Sequence, residues 1–308
     1  MQLEPHKAPT FIFIGVTTGK SSIVKVFPRW MQVLGLDVQL AGSDLPLRAP
    51  PETYRSVIER VKNDPMVVGG LVTTHKLDLL AAAHDLFDEL DPNAALCGEV
   101  SAIVKRDGKL LGYAKDPTAS GKTWEHFIPT GHFGRTQADV LCFGCGGAAF
   151  ATTVYLAEAD DRPKRITLVD VSAERLDHAR DIHQRLTTDI QFNYVLNGDP
   201  YINDSLMSDL PAGSVVINAT GMGKDLPGSP ITTAGIFPCN GLVWEFNYRG
   251  ELTFLHQAER QAAYRGLTLE DGWVYFLHGW TQVLAEVLGF ELTPELFDKL
   301  NRAAQDFR

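Results

Sequence analysis

Short apolar runs alternate with longer stretches of helical periodicity along almost the whole chain, and this alternation admits few folds. A strand that is apolar on both faces must be covered on both, and the helix joining it to the next strand supplies the cover. The pattern is that of βαβ units feeding mostly parallel sheets, an α/β protein. Two series are visible. The first runs through a strand at Thr10–Gly15, a helix near Val24–Leu34, a strand at Val38–Leu40, a helix near Glu52–Lys62, a strand at Val67–Val72 and a helix near Leu77–Leu86. It closes on Val100–Val104 and Leu110–Tyr113, and the Asp107-Gly108 pair between them is a hairpin signal, so an antiparallel pair is expected there.

The second series opens beyond Pro129–Thr136, a segment rich in Gly, Pro and Thr. Its strands read as Val140–Phe143, Ile166–Asp170, Ile190–Val195, Val215–Ala219 and Leu242–Phe246, with helices at Ala148–Ala157 and Ala173–Leu186. Helical patterns at Trp273–Leu288 and Pro294–Phe307 follow Asp271-Gly272 and close the chain. At 308 residues the chain exceeds what one core usually accommodates, so two domains are expected. A net charge of −10 with no long Lys/Arg run argues against nucleic acid and membrane surfaces as partners.

The start, Met1 to Pro5, lacks the basic and apolar segments of a secretory signal, and no apolar run has membrane-spanning length, so a cytoplasmic location is expected. Cys97, Cys142, Cys145 and Cys239 are too few and too scattered for a disulfide framework, which leaves reduced thiols. Cys142 and Cys145 have redox or zinc spacing, but no second pair completes a tetrahedral site, and they read as small buried fillers. No His-Glu-x-x-His or carboxylate–histidine cluster occurs, so no metal is expected.

Gly144-Cys145-Gly146-Gly147-Ala148-Ala149 follows one expected strand and opens an expected helix, the setting a dinucleotide fingerprint requires. The first glycine permits the tight turn, the second lets backbone N–H groups approach a pyrophosphate, and the helix N-terminus adds positive partial charge. Asp170, at the end of the next strand, stands near the roughly 20-residue offset at which an acid bonds the ribose hydroxyls. An acid there favours NAD over NADP, which would want a guanidinium, whereas Val171-Ser172-Ala173 follow and Arg175 lies a turn further on. The plain alternative is a glycine turn that only packs a helix on a strand.

Leu71-Val72-Thr73-Thr74-His75-Lys76, Cys97-Gly98-Glu99-Val100-Ser101-Ala102-Ile103, Gly112-Tyr113-Ala114-Lys115-Asp116 and the glycine turn stand in the order and rough spacing of the shikimate dehydrogenase family, which the chain resembles. Asn218-Ala219-Thr220-Gly221-Met222-Gly223 is similar to that family's Asn-Ala-Thr-x-x-Gly segment, and Glu245-Phe246-Asn247-Tyr248 to its Asp-x-x-Tyr. The match runs from Gly15 to about Gly289. The resemblance implies an N-terminal α/β substrate domain with a mixed sheet, residues 1–117 completed by helices from about 273 to 308. It implies a C-terminal Rossmann domain over 118–272, and an active site in the interdomain cleft. The implied reaction is hydride transfer between a nicotinamide cofactor and a ring hydroxyl of a carbocyclic acid.

The same resemblance makes Lys76 and Asp116 the catalytic pair, and Gly144, Cys145, Gly146, Gly147, Ala148, Asp170, Asn218, Ala219, Thr220 and Gly223 the cofactor-binding residues. Chemistry agrees with the pair, since oxidising a secondary alcohol needs a group to take the hydroxyl proton as hydride leaves. Lys76 is expected to do so, with Asp116 orienting it and the substrate hydroxyl. The plain alternative is an exposed lysine after a strand and an aspartate capping the helix at Pro117. His75 is the one histidine placed to matter.

Five sites depart from the family pattern. The Ser-x-Ser-Pro that holds the substrate carboxylate becomes Ser21-Ser22-Ile23-Val24, with Lys20 and Ser22 as chemical substitutes for the lost serine, the family asparagine becomes Ser101, the asparagine two residues before the aspartate becomes Ala114, and a threonine-proline pair becomes Thr73-Thr74. The closing-helix glutamine becomes Gly279 or His278, depending on register. Tyr248 remains as a hydroxyl donor. The expected substrate-binding residues are Lys20, Ser21, Ser22, Thr73, Thr74, Ser101, Tyr248 and His278, and because a site built to hydrogen-bond a hydroxyl rejects ligands that leave its polar groups unpaired, the changes among them argue for a substrate other than shikimate. Quinate, an amino-substituted analogue or a cyclitol fits. A true shikimate dehydrogenase with an atypical carboxylate site, a non-catalytic dinucleotide-binding paralogue and a related dehydrogenase of folate carriers are the alternatives. The expected partners are a small carbocyclic substrate and, at most, a second copy in a homodimer.

Overall fold

The computed structural model describes residues 5–224 and 226–308, so the reading of Met1–Glu4 lies outside the described residues. The chain divides into two compact units, Met1–Lys115 with Gly279–Arg308, and Asp116–His278.

The first unit carries β1 (Thr10–Gly15), β2 (Gln39–Asp44), β3 (Val67–Val72), β4 (Glu89–Leu90), β5 (Ala102–Arg106) and β6 (Lys109–Tyr113) in the order β2-β1-β3-β5-β6-β4. Strand β1 is parallel to β2 and β3, while β5 is antiparallel to both β3 and β6. The sheet is therefore mixed, and the expected hairpin is present. Asp107 and Gly108 turn it with φ of 52° and 76°, the two left-handed residues of a two-residue hairpin loop whose twist matches the strands.

Around this sheet lie α1 (Ile23–Leu34), α2 (Pro51–Asn63), α3 (Lys76–Ala83) and α4 (Pro92–Cys97). Helix α1 buries Ile23, Val26, Phe27, Trp30 and Met31, and Phe11 of β1 packs against Phe27 with ring centroids 5.7 Å apart. Strand β2 is longer than its apolar run, because an edge strand is defined by pairing with β1 and not by burial. Helix α4 escapes the hydrophobic pattern but has an N-terminal signature, with Asp91 Oδ1 accepting the Ala94 N–H at 2.8 Å and Pro92 in first position.

The second unit carries β7 (Val140–Phe143), β8 (Arg165–Asp170), β9 (Gln191–Leu196), β10 (Val215–Asn218), β11 (Leu242–Glu245) and β12 (Thr268–Glu270), all parallel, in the order β12-β11-β10-β7-β8-β9. The chain steps outward from β7 to β9 and then returns to place β10 beside β7. This is the doubly wound order, whose reversal between β7 and β10 opens a crevice at the strand ends. Alternate residues enter separate cores, Leu141, Phe143, Val216 and Val243 in one, Val140, Cys142, Ile217 and Trp244 in the other. Both faces are covered, which is why these strands read as unbroken apolar runs.

The helices of this unit are α5 (Asp116–Phe127), α6 (His132–Thr136), α7 (Gly147–Glu158), α8 (Ala173–His183), α9 (Pro200–Ser208) and α10 (Thr253–Arg265). Helix α5 packs small residues against α7 and so shows no apolar stripe. A Cβ added at Gly121 would stand 2.4 Å from the Tyr155 ring, and Ser120 Oγ meets Thr152 Oγ1 at 2.5 Å.

Helix α11 (Trp273–Leu288) spans the division between the units, and α12 (Pro294–Ala304) returns to the first. There the Trp30 indole N–H donates to the Leu300 carbonyl at 2.8 Å, and Trp280 packs on Phe13 at 4.8 Å. No helix of the described residues is long and apolar enough to cross a membrane.

Candidate active site

In the second unit the end of β7 turns directly into α7. Gly144 has φ of 93°, and a Cβ there would lie 2.5 Å from the Ala219 carbonyl oxygen, so the turn tolerates no side chain at this point. Gly146 is extended and a Cβ built on it meets nothing within 4 Å, which leaves open space before the first turn of α7. That turn carries no acidic residue, and the N–H groups of Gly147, Ala148 and Ala149 have no helical partner. The arrangement is an anion cradle of the kind a pyrophosphate fills.

Asp170, at the end of β8, is 5% exposed. Its Oδ2 accepts the Cys145 N–H at 2.7 Å and its Oδ1 the Ser172 N–H at 2.8 Å, while Arg175 Nη1 stands 3.7 Å from Oδ2. The Cys145 amide, expected to face the cofactor, is thus committed to Asp170, and the donors left for a phosphate are those beyond it. Burial pushes the Cys145 thiol up to about 12, and desolvation raises the fully buried Cys142 thiol as well. Neither sulfur is a thiolate near neutral pH.

A cavity of about 250 Å³ adjoins this turn, lined by Gly144, Asp170, Arg175, Asn197, Thr220 and Met222 among others. Asn197, Asn203 and Met222 were not anticipated from sequence. Asn197-Gly198-Asp199-Pro200 follows β9, and the rule that ligands gather at the carboxyl ends of parallel strands is the signal that points to it.

The side chain of Asn218, expected at the cofactor, is fully buried and bonded within the protein. Its Nδ2 donates to Glu245 Oε2 at 2.7 Å, and its Oδ1 accepts the Thr220 N–H at 3.2 Å and the Thr220 hydroxyl at 2.6 Å. Glu245 also accepts the Asn247 N–H at 2.9 Å and Asn247 Nδ2 at 2.7 Å. Burial pushes its carboxyl up to about 7 against these donors. Ala219 is half-buried, and its N–H donates to Phe143 at 2.7 Å, while Gly223 is a buried left-handed turn residue, φ 86°.

In the first unit the expected substrate residues gather at one end of the sheet. Thr73 follows β3 and donates its N–H to Ile14 of β1 at 3.0 Å, and Val72 bonds Ser101 at the start of antiparallel β5 at 2.9 Å. Thr74 is exposed, Thr73 half-buried, and Lys76 opens α3 with a half-buried side chain. Lys20, Ser21 and Ser22 lie between β1 and α1, with Lys20 exposed and both serines half-buried. Thr18 anchors that segment through its N–H and hydroxyl to Asp44 Oδ1 at 2.8 and 2.6 Å.

Ser101, expected at the substrate, is 1% exposed, accepts the Lys115 N–H at 2.7 Å and directs its hydroxyl to the Tyr113 carbonyl at 3.4 Å, so it supports the backbone. His75 is likewise structural, its ring nitrogens meeting Tyr54 Oη at 3.2 Å and the Leu45 carbonyl at 3.1 Å. Asp116 begins α5 in the second unit and is 8% exposed. His278 is held down at about 4, first by burial and then by its charged neighbours, Lys122 among them, so it is a neutral ring near neutral pH and cannot grip a carboxylate as a cation. Tyr248 is half-buried between Trp273 and Phe276, with centroids 5.3 and 5.0 Å away. Among the described residues no group of three His, Cys, Asp or Glu is placed to hold a metal.

No family model matches the chain. It is 25% identical over 303 residues to a shikimate dehydrogenase (NADP(+)) of Methylobacterium radiotolerans, covering 95% of this chain and 96% of that one. Among solved structures, quinate dehydrogenase from Corynebacterium glutamicum in complex with NAD superposes with a TM-score of 0.76 at 18% identity, over 96% of this chain and 98% of that one. The ligand-free 5-ketofructose reductase of Gluconobacter sp. strain CHM43 has a TM-score of 0.72 at 20% identity, over 98% and 99%. The α/β fold is thus shared with these solved structures over nearly their full lengths.

Proposed function

We propose that this chain, whose resemblance to the shikimate dehydrogenase family extends over nearly its whole length, is a nicotinamide-dependent dehydrogenase of ring alcohols. The observation that carries the reading is the Asp170–Cys145 bond, beside an anion cradle left open at Gly146, at the order reversal of a parallel sheet. A bound nicotinamide would supply the hydride acceptor or donor. Gly147, Ala148 and Ala149 would hold its pyrophosphate through backbone N–H groups, and Asp170 would accept from the adenosine ribose hydroxyls.

NAD is our preferred form, although the relative from Methylobacterium radiotolerans carries NADP(+) in its name. Val171, 73% exposed, follows Asp170 where a 2′-phosphate would need a cation, and the nearby guanidinium of Arg175 already pairs with the carboxylate. Displacing that pair would leave two negative groups together.

Lys76 acts as acid and base in this reading, taking the hydroxyl proton during oxidation and returning it during reduction, while Asp116 orients it and the substrate hydroxyl. Lys20, with Ser21 and Ser22, would hold a substrate anion, and Thr73, Thr74 and Tyr248 would supply hydroxyl donors. Loss of the Ser101 donor supports a pocket shaped for a carbocyclic acid other than shikimate, or for a close relative such as quinate, an amino-substituted analogue or a cyclitol. A panel of ring alcohols with NAD and NADP at several pH values, followed through absorbance of the reduced cofactor, tests the reading. Turnover of shikimate above all others would make it a shikimate dehydrogenase with an atypical anion site. Dinucleotide binding with no turnover of any ring alcohol would leave the non-catalytic alternative.

A further inference from the structure

Glu245 is a carboxyl with no exposure, on a parallel strand between two covered faces, where removal from water is costly unless the group organises something. Three donors converge on it, from Asn218 Nδ2, Asn247 N and Asn247 Nδ2, at 2.7 to 2.9 Å. The two amides reach further. Both Nδ2 groups also donate to the Met222 carbonyl, at 3.3 Å from Asn218 and 3.1 Å from Asn247. Asn218 Oδ1 meanwhile fixes Thr220, whose hydroxyl accepts the Met222 N–H at 3.1 Å. Thr220 and Met222 line the cavity that Gly144 and Asp170 also line. A single buried carboxyl thereby determines the orientation of two amides, and the amides determine the shape of the turn.

We propose that Glu245 is a positioning residue for the dinucleotide site, acting through Asn218 and Asn247 to fix the turn from Thr220 to Gly223 as a wall of the cavity. This rests on the functional reading above in taking the cavity as a dinucleotide site. An amide at position 245 would point a donor at one of two groups that must themselves donate, so Glu245→Gln conserves shape and disrupts polarity.

The test compares wild type, Glu245→Gln and Asn247→Ala as full chains. Amide hydrogen exchange of peptides covering 218–224 is measured without ligand, and NAD affinity by quenching of tryptophan fluorescence. Glu245→Gln is expected to exchange on the order of tenfold faster at 218–224, with β1 to β3 unchanged, and to weaken NAD by on the order of tenfold, as loss of one buried hydrogen bond with a donor left facing a donor predicts. Asn247→Ala, which keeps the Glu245–Asn218 bond, should show a smaller change at the same peptides and guards against failure of the first variant to fold. Wild-type exchange at 218–224 in both variants, or a uniform rise across both units, overturns the assignment. Faster exchange at 218–224 with unchanged NAD affinity overturns the link to the ligand. A wild-type protein that binds no dinucleotide overturns the functional reading, and the exchange result then separates that failure from a failure of Glu245 to hold the turn.

Discussion

The Cys145 amide donates to Asp170 Oδ2 at 2.7 Å, so the turn after β7 and the acid ending β8 are held together by one bond. A hydrogen bond to a charged group contributes about 1.5–3 kcal/mol, enough to fix the carboxylate before any ligand arrives. Asp170→Asn should raise the KM for NAD roughly tenfold, in line with loss of one such bond. It should also narrow the preference over NADP proposed above, because it releases Arg175 from its 3.7 Å pair. Steady-state kinetics with both cofactors measure this, and an unchanged ratio contradicts the role given to Asp170.

Lys76→Ala should lower kcat by about 10²–10⁴, the range for removal of an acid or base, with little change in dinucleotide affinity. Pre-steady-state and fluorescence measurements separate the two. Full turnover in the variant removes Lys76 from the reaction.

Gly144→Ala places a Cβ 2.5 Å from a backbone oxygen at φ 93°, where the neighbour cannot yield as a side chain would. Overpacking with backbone strain should cost about 1–3 kcal/mol and abolish measurable dinucleotide binding. Denaturant unfolding and a fluorescence titration check both parts.

His183 is held down at about 4 by burial, stacked on Phe192 at 3.8 Å with Thr153 and Tyr194 on its nitrogens. An unfolded histidine titrates near 6.5, so between these values the unfolded chain binds more protons, and the stability due to the neutral ring is full above pH 6.5 and lost as pH falls toward 4. His278 acts in the same direction. Glu245, raised to about 7, acts oppositely and loses its contribution as pH rises from its ordinary carboxylate range through 7. Comparison with His183→Gln isolates the ring. The wild-type advantage in unfolding free energy should shrink by about 2 kcal/mol between pH 7.5 and pH 4.5, and a constant difference would contradict the burial argument.

Much of the fold is written in hydrophobic period. Strands such as Val140–Phe143 are apolar at every position because both faces are covered, and Asp107-Gly108 announces its turn by backbone conformation alone. Helix α5 left no such trace, since Ser120, Gly121 and Thr123 are buried for their small size and not for hydrophobicity. The glycine turn and Asp170 were legible through spacing. The orientation of the Asn218 amide was not, because which way an amide faces depends on Glu245, 27 residues away. The commitment of Ser101 to Lys115 and Tyr113 depends likewise on strand pairing that no local pattern encodes.

The bond from Trp30 to Leu300 joins residues 270 positions apart. During synthesis, Phe11, Phe13 and Trp30 leave the ribosome long before Trp280 and Leu300 exist to cover them, while the continuous segment Asp116–His278 holds all its own strands. Domains generally fold as units in the order they emerge, but here the first unit to be made is the last to be finished. Removing the residues from Gly279 onward would leave Phe11, Phe13 and Trp30 without that cover while every strand of Asp116–His278 remained in place, so such a truncation should expose an aromatic surface on one unit only.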